Sequence, residues 1–132
     1  MPHPADSPTA ADIEALAWLA FQDIPEALRA EVGDVVFRVE EFPDRETMEE
    51  LDLDSPFDLL GLYRGIDLLN KSVLDGVPEI DMIFLYRRPL LAYGAETGES
   101  FETLVRHVLI HEIGHHFGFS DDDMEALEAS GE

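Results

Sequence analysis

The chain lacks cysteine, and it has no long apolar run. Without cysteine it can form neither disulfides nor thiolate metal sites, so any metal ion must be held by His, Asp or Glu. A chain without crosslinks suits a reducing compartment, and we expect a cytoplasmic protein. No apolar segment approaches the roughly 20 residues that span a bilayer, so no membrane partner is expected.

Basic residues are also scarce. Eight lysines and arginines stand against thirty aspartates and glutamates, which gives a formal net charge of −22. Such a surface repels phosphate backbones, so a nucleic-acid partner is not expected. We interpret the acidity as a solvated coat that keeps the protein in solution, and we expect a monomer.

The chain is long enough for one hydrophobic core. Its 132 residues are 45% hydrophobic, which is ordinary for a globular domain and too high for a disordered chain. Residues 1–8 include three prolines, and they lack the basic start and apolar core of a signal peptide. We therefore expect a disordered leader at residues 1–8 and a single domain at residues 9–132.

Apolar spacing, turn residues and capping residues predict a mixture of helices and short strands. Thr9 or Asp12 is suited to cap the first helix, and Ser100 is suited to cap the longest one. Pro89 is expected to stop the last strand. The predicted helices are 13–21, 26–31, around 47–51, 101 to about 117, and 124–129 after a cap at Asp121 or Asp122; the predicted strands are 35–39, 59–65 and 80–86.

The longest predicted helix carries a metal-binding pattern. His111 and His115 are four residues apart, so they lie on one helical face and can bind one ion. Glu112 is placed to act as general base on water. Gly118 can end the helix with a sharp reversal, which would return Asp121 to the ion. The full pattern is H-E-x-x-H-x-x-G-x-x-D, and a carboxylate oxygen is an acceptable zinc ligand.

The same helix has a separate apolar stripe. Val105, Leu109 and Ile113 follow one another at four-residue spacing, with Val108 beside them. This stripe is expected to be buried, which leaves the two histidines on an adjacent face where a partly covered cleft can form.

The extended pattern resembles the zincin metallopeptidases, in the branch whose motif ends in Asp. More narrowly, residues 108–118, 60–65 and 80–86 resemble a family of small bacterial zincin-like proteins, once catalogued as a domain of unknown function. The resemblance implies an α+β fold, with a small sheet packed on helices and the active-site helix near the C-terminus. It also implies zinc at His111, His115 and Asp121, with Glu112 as base.

Several assignments stay open at this level. Asp122 is the alternative third ligand, because three acids are consecutive in the sequence. The resemblance suggests that strand 80–86 is a substrate-binding edge strand, and an ordinary core strand is the alternative. Surface or structural roles are expected for His107 and His116. Packing is favoured over oxyanion binding for Tyr63 and Tyr86.

These observations favour a zinc-dependent peptidase that acts on a peptide or protein substrate of unknown identity. One alternative is a zinc-binding interaction module whose site is structural or vestigial, although a structural zinc needs no base such as Glu112. Another alternative is deacylation of a small amide.

Overall fold

The computed structural model describes residues 7–30, 32, 35–66 and 80–130, with the backbone alone described at residues 65, 66, 80, 121, 127, 128 and 130. Most of the expected leader, residues 1–6, lies outside the described residues. The elements are α1 (Ala10–Asp23), α2 (Glu26–Arg29), β1 (Val35–Glu40), α3 (Arg45–Glu50), a 3-10 turn (Pro56–Asp58), β2 (Gly61–Ile66), β3 (Ile80–Tyr86), α4 (Arg87–Thr97), α5 (Phe101–His116) and α6 (Asp121–Ser130).

The three strands form one mixed sheet in the order β1-β3-β2. β1 runs parallel to β3, whereas β2 runs antiparallel to it. Helix α5 packs against both α1 and β2, and α1 also contacts β1. The predicted α+β class is therefore confirmed, as is a small sheet on helices with the motif helix near the C-terminus.

Apolar burial fixes the position of helix α5. Val105, Leu109 and Ile113 are fully buried and Val108 is nearly so, which confirms the predicted stripe. Burying each such side chain stabilises the fold by about 1.5–3 kcal/mol. The core also contains Ile13 of α1 and residues of all three strands. The helix that carries the histidines is therefore fixed by core packing along its length.

Local capping explains where two helices begin. The Thr9 side chain accepts a hydrogen bond from the Asp12 N–H at 3.1 Å, and the Asp12 carboxylate accepts one from the Thr9 N–H at 2.9 Å. The two predicted caps of α1 thus form a single capping box. Ser100 caps α5 by accepting from the Thr103 N–H at 3.1 Å, as predicted.

Helix α4 was not predicted. Strand β3 ends at Tyr86 and the chain continues directly into a helix, with Pro89 buried in its first turn. Proline is tolerated there because the first N–H groups of a helix have no intrahelical partner. Pro89 is therefore part of a helix start that follows directly on the end of the strand.

The edge-strand prediction for residues 80–86 is also wrong. β3 is the central strand, paired with β1 from Asp81 to Tyr86 and with β2 from Ile80 to Leu85. Its backbone groups are used by these two ladders, so an extended peptide has no free edge to join. The alternative interpretation, a core strand, is the one that holds.

No helix in the described part of the chain is both long enough and apolar enough to cross a membrane.

Candidate functional site

Helix α5 presents His111 and His115 one turn apart. Their ring centroids are 6.0 Å apart and the rings are nearly perpendicular. His111 is half-buried and His115 is exposed. A tetrahedral zinc ion with Zn–N bonds of about 2.0–2.1 Å would bring two imidazole centroids to roughly 5 Å. The pair is therefore within a small side-chain adjustment of joint ligation, and its nitrogen donors suit zinc.

Glu112 lies between the helix and strand β2. Its carboxylate is half-buried and accepts a hydrogen bond from the Tyr63 N–H. Burial raises the pKa of Glu112 to about 7, against the opposing effects of the His115 charge and of the Tyr63 hydrogen bond. Without an ion nearby, a large share of this side chain is protonated at neutral pH.

This raised pKa predicts that Glu112 destabilises the zinc-free fold at high pH. The folded-state pKa of Glu112, about 7, exceeds the reference value of 4.5. The contribution of this group to the free energy of unfolding is therefore lost as the pH rises from 4.5 through 7. Glu112→Gln does not titrate, and its free energy of unfolding should rise relative to wild type between pH 4.5 and 8, by up to about 3 kcal/mol.

Urea unfolding with a chelator present measures this difference. Glu125→Gln on the exposed surface of α6 removes the same charge and should show little pH-dependent gain. A Glu112→Gln difference that stays constant over this pH range would contradict the raised pKa.

The chain reverses sharply after α5. Gly118 has a φ of +83°, which confirms the predicted left-handed stop. The Phe119 N–H donates to the Gly114 carbonyl at 2.8 Å, in a Schellman-type ending.

Ser120, and not Asp121 or Asp122 as predicted, caps α6, because its Oγ accepts from the Asp123 N–H at 3.0 Å. The Asp123 carboxylate accepts in return from the Ser120 N–H at 3.2 Å, and a serine oxygen fits this reciprocal cap.

The predicted third ligand falls at the first residue of α6. The backbone of Asp121 is described, but its side chain lies outside the described atoms. Asp122 is exposed, and Asp123 is engaged in the cap. Among the side chains that are described, no three His, Asp or Glu residues come together as an ion-binding cluster.

Gly114, inside the motif, allows α6 to pack under α5. A Cβ at this position would lie 2.8 Å from Met124 Cγ, and Met124 is fully buried. Gly114→Ala should therefore lower the free energy of unfolding by about 1–3 kcal/mol through overpacking. Thermal unfolding of Gly114→Ala, Met124→Ala and the double variant measures the effect. The double variant should lose less than the sum of the two single losses, and strict additivity would refute the steric explanation.

Strand β2 approaches α5 closely at Gly61. A Cβ there would lie 2.8 Å from Val108 Cγ1 and 3.0 Å from the Phe84 carbonyl oxygen. Neither neighbour can move easily, because one is a buried core side chain and the other is backbone. Gly61 thus brings β2 against the helix, where the Tyr63 N–H reaches Glu112.

The remaining histidines and tyrosines have distinct surroundings. The His107 ring is half-buried, and its centroid lies 4.1 Å from that of His111. His107 is therefore less exposed than the surface role predicted for it implies. His116 is exposed and stacks on Tyr63 at a centroid distance of 4.0 Å, which fits a structural role.

Both candidate tyrosines are buried, as expected for packing residues. Burial is the main cause that raises the pKa of Tyr86 to about 12. The link between Tyr63 and Glu112 was missed because no sequence pattern marks a contact between distant segments.

Comparison with known proteins identifies the family of the chain. A family model described as "Zincin-like metallopeptidase" matches residues 32–131, a range that includes the whole sheet and both C-terminal helices. No curated protein matches the chain. The match extends over well more than half of the sequence, and the chain belongs to the zincin-like metallopeptidase family.

Proposed function

We propose that the protein is a zinc-dependent peptidase, with the ion held by His111, His115 and Asp121 and with Glu112 as general base. A zinc ion held there would supply Lewis acidity toward a carbonyl oxygen and toward water. The Glu112 carboxylate would take a proton from the attacking water and deliver it to the leaving amine. Family membership and the adjacent pair of imidazoles support this assignment.

The observation that carries the proposal is the setting of Glu112. This carboxylate follows the first histidine directly, is half-buried, and is oriented by a backbone N–H of the neighbouring strand. A purely structural zinc site requires ligands and no such base. Burial of a carboxylate costs stability, so the position of Glu112 between helix and sheet favours a chemical role over a packing role.

Strand β2 offers a place for an extended peptide. The Tyr86 N–H donates to the Leu60 carbonyl at 3.0 Å, and the antiparallel register continues from there. Alternation in such a ladder turns the backbone groups of Gly61, Tyr63 and Gly65 away from β3. A peptide substrate is proposed to pair with the Gly61 and Gly65 groups on this outer side of β2, because the Tyr63 N–H between them already donates to Glu112.

The test is peptide cleavage by protein that has been stripped of metal and reloaded with one equivalent of zinc. A mixed peptide library followed by mass spectrometry should reveal new termini with the zinc-loaded protein, and none with the stripped protein. Zinc uptake without cleavage of any peptide would favour the interaction-module alternative. Failure to take up zinc at neutral pH would contradict both.

The third ligand gives a separate prediction. Asp121→Asn should weaken zinc binding by more than about 100-fold, because even changes to groups that only support metal ligands cost about 10–100-fold. Asp122→Asn removes the same charge one residue later and should change zinc affinity by less than about threefold. Competition with a chromophoric chelator measures both variants. The reverse order would make Asp122 the ligand.

A further inference from the structure

From the middle of β2, Tyr63 contacts Glu112 of the proposed site and two residues outside it. Its backbone N–H donates to the Glu112 carboxylate. Its hydroxyl donates to the Asp81 carboxylate of β3 at 2.5 Å. Its ring stacks on His116 at a centroid distance of 4.0 Å and an interplanar angle of 20°. Tyr63 therefore joins the sheet to the end of α5.

The hydroxyl group and the ring of Tyr63 are held by different elements. The hydrogen bond to Asp81 ties β2 to β3 diagonally across the antiparallel pair, since Tyr63 itself lies opposite Ile83. The His116 stack, with Phe117 edge-on at 5.8 Å, ties the same residue to the last turn of α5. A side chain held at its hydroxyl and at its ring leaves the backbone N–H of the same residue little freedom to move.

We propose that Tyr63 is a positioning residue, whose side chain is clamped between Asp81 and His116 and holds its own backbone N–H against the Glu112 carboxylate. The catalytic importance of this clamp rests on the proposed function, since Glu112 must be oriented to act as a base. The clamp itself is a property of the zinc-free chain. It is therefore testable without zinc and without a substrate.

The test is NMR of the Tyr63 amide in uniformly 15N-labelled, zinc-free protein. Glu112→Ala removes the acceptor and defines the chemical shift and hydrogen-exchange rate of the released amide. Asp81→Ala and His116→Ala should move the amide shift toward that of Glu112→Ala and should speed its exchange at least threefold. The amide of Leu109, in the core of α5, should keep its wild-type rate, which separates local release from general unfolding.

Two matched variants sharpen the result. His116→Phe keeps an aromatic ring for Tyr63 and should restore the wild-type amide signal. Tyr93→Phe removes the hydroxyl of an exposed tyrosine on α4 and should change nothing. Tyr63→Phe provides a second way to break the hydrogen bond to Asp81, should Asp81→Ala fold poorly.

The proposal is overturned if Glu112→Ala leaves the Tyr63 amide unchanged. It is also overturned if the amide stays at its wild-type position in both clamp variants, because strand pairing alone would then hold it. Where the zinc-loaded enzyme cleaves a peptide, Asp81→Ala should lower kcat about tenfold with KM within twofold. If the NMR results confirm the clamp but the chain binds no zinc, the proposed function is contradicted and the clamp proposal stands.

Discussion

Replacing His115 by alanine should abolish stoichiometric zinc binding, whereas replacing the adjacent His116 should leave it intact. The His115 ring lies beside that of His111, with their centroids 6.0 Å apart. The His116 ring points to a different part of the molecule and stacks on Tyr63. The two variants remove the same imidazole from neighbouring residues, so composition, net charge and helix position are closely matched.

The expected loss is large because zinc in such sites has only three protein ligands. Removing one should weaken binding by more than about 100-fold, and more than the loss of a supporting group would. Elemental analysis should find about one zinc per chain in wild type and in His116→Ala, and almost none in His115→Ala or His111→Ala. Equal loss of zinc from His115→Ala and His116→Ala would point to a folding defect at the end of α5. Full retention by His115→Ala would refute the assigned ligands.

Signals confined to a few neighbouring residues were sufficient to predict the motif helix. Ser100 marks where α5 begins, Gly118 marks where it ends, and the apolar stripe identifies its buried side. Each depends on physics acting within one or two turns, such as capping, a positive φ or helical periodicity. The apolar segments of the three strands, and the turn residues and proline beside them, are equally local signals, and all three strands were predicted.

The features that were not predicted depend on tertiary neighbours. Whether β3 is central or at an edge is decided by β1 and β2, which its own sequence does not specify. Pro89 is compatible with both a strand stop and the first turn of a helix, and burial of that turn against the core selects the helix. The orientation of Glu112 requires Gly61 to bring β2 close, so it follows from packing between segments far apart in the chain.

Glu112→Gln should abolish turnover while leaving zinc in place. Glutamine has nearly the same shape and still accepts a hydrogen bond from the Tyr63 N–H, but it cannot take a proton from water. The loss of kcat/KM should be about 10²–10⁴-fold, the usual contribution of a positioned general base. Zinc content and peptide cleavage, measured on the same preparation, test both parts, with Glu125→Gln as the control for removal of a carboxylate.

The same substitution should act in opposite directions on activity and on stability. Because burial raises the pKa of Glu112 to about 7, the wild-type acid is costly to ionise in the zinc-free fold, and glutamine removes that cost. A variant that is inactive yet more stable at pH 8 is the expected sign of a group retained for chemistry at the expense of stability. A Glu112→Gln protein that keeps more than about a tenth of wild-type kcat/KM would instead assign the proton transfer to another group.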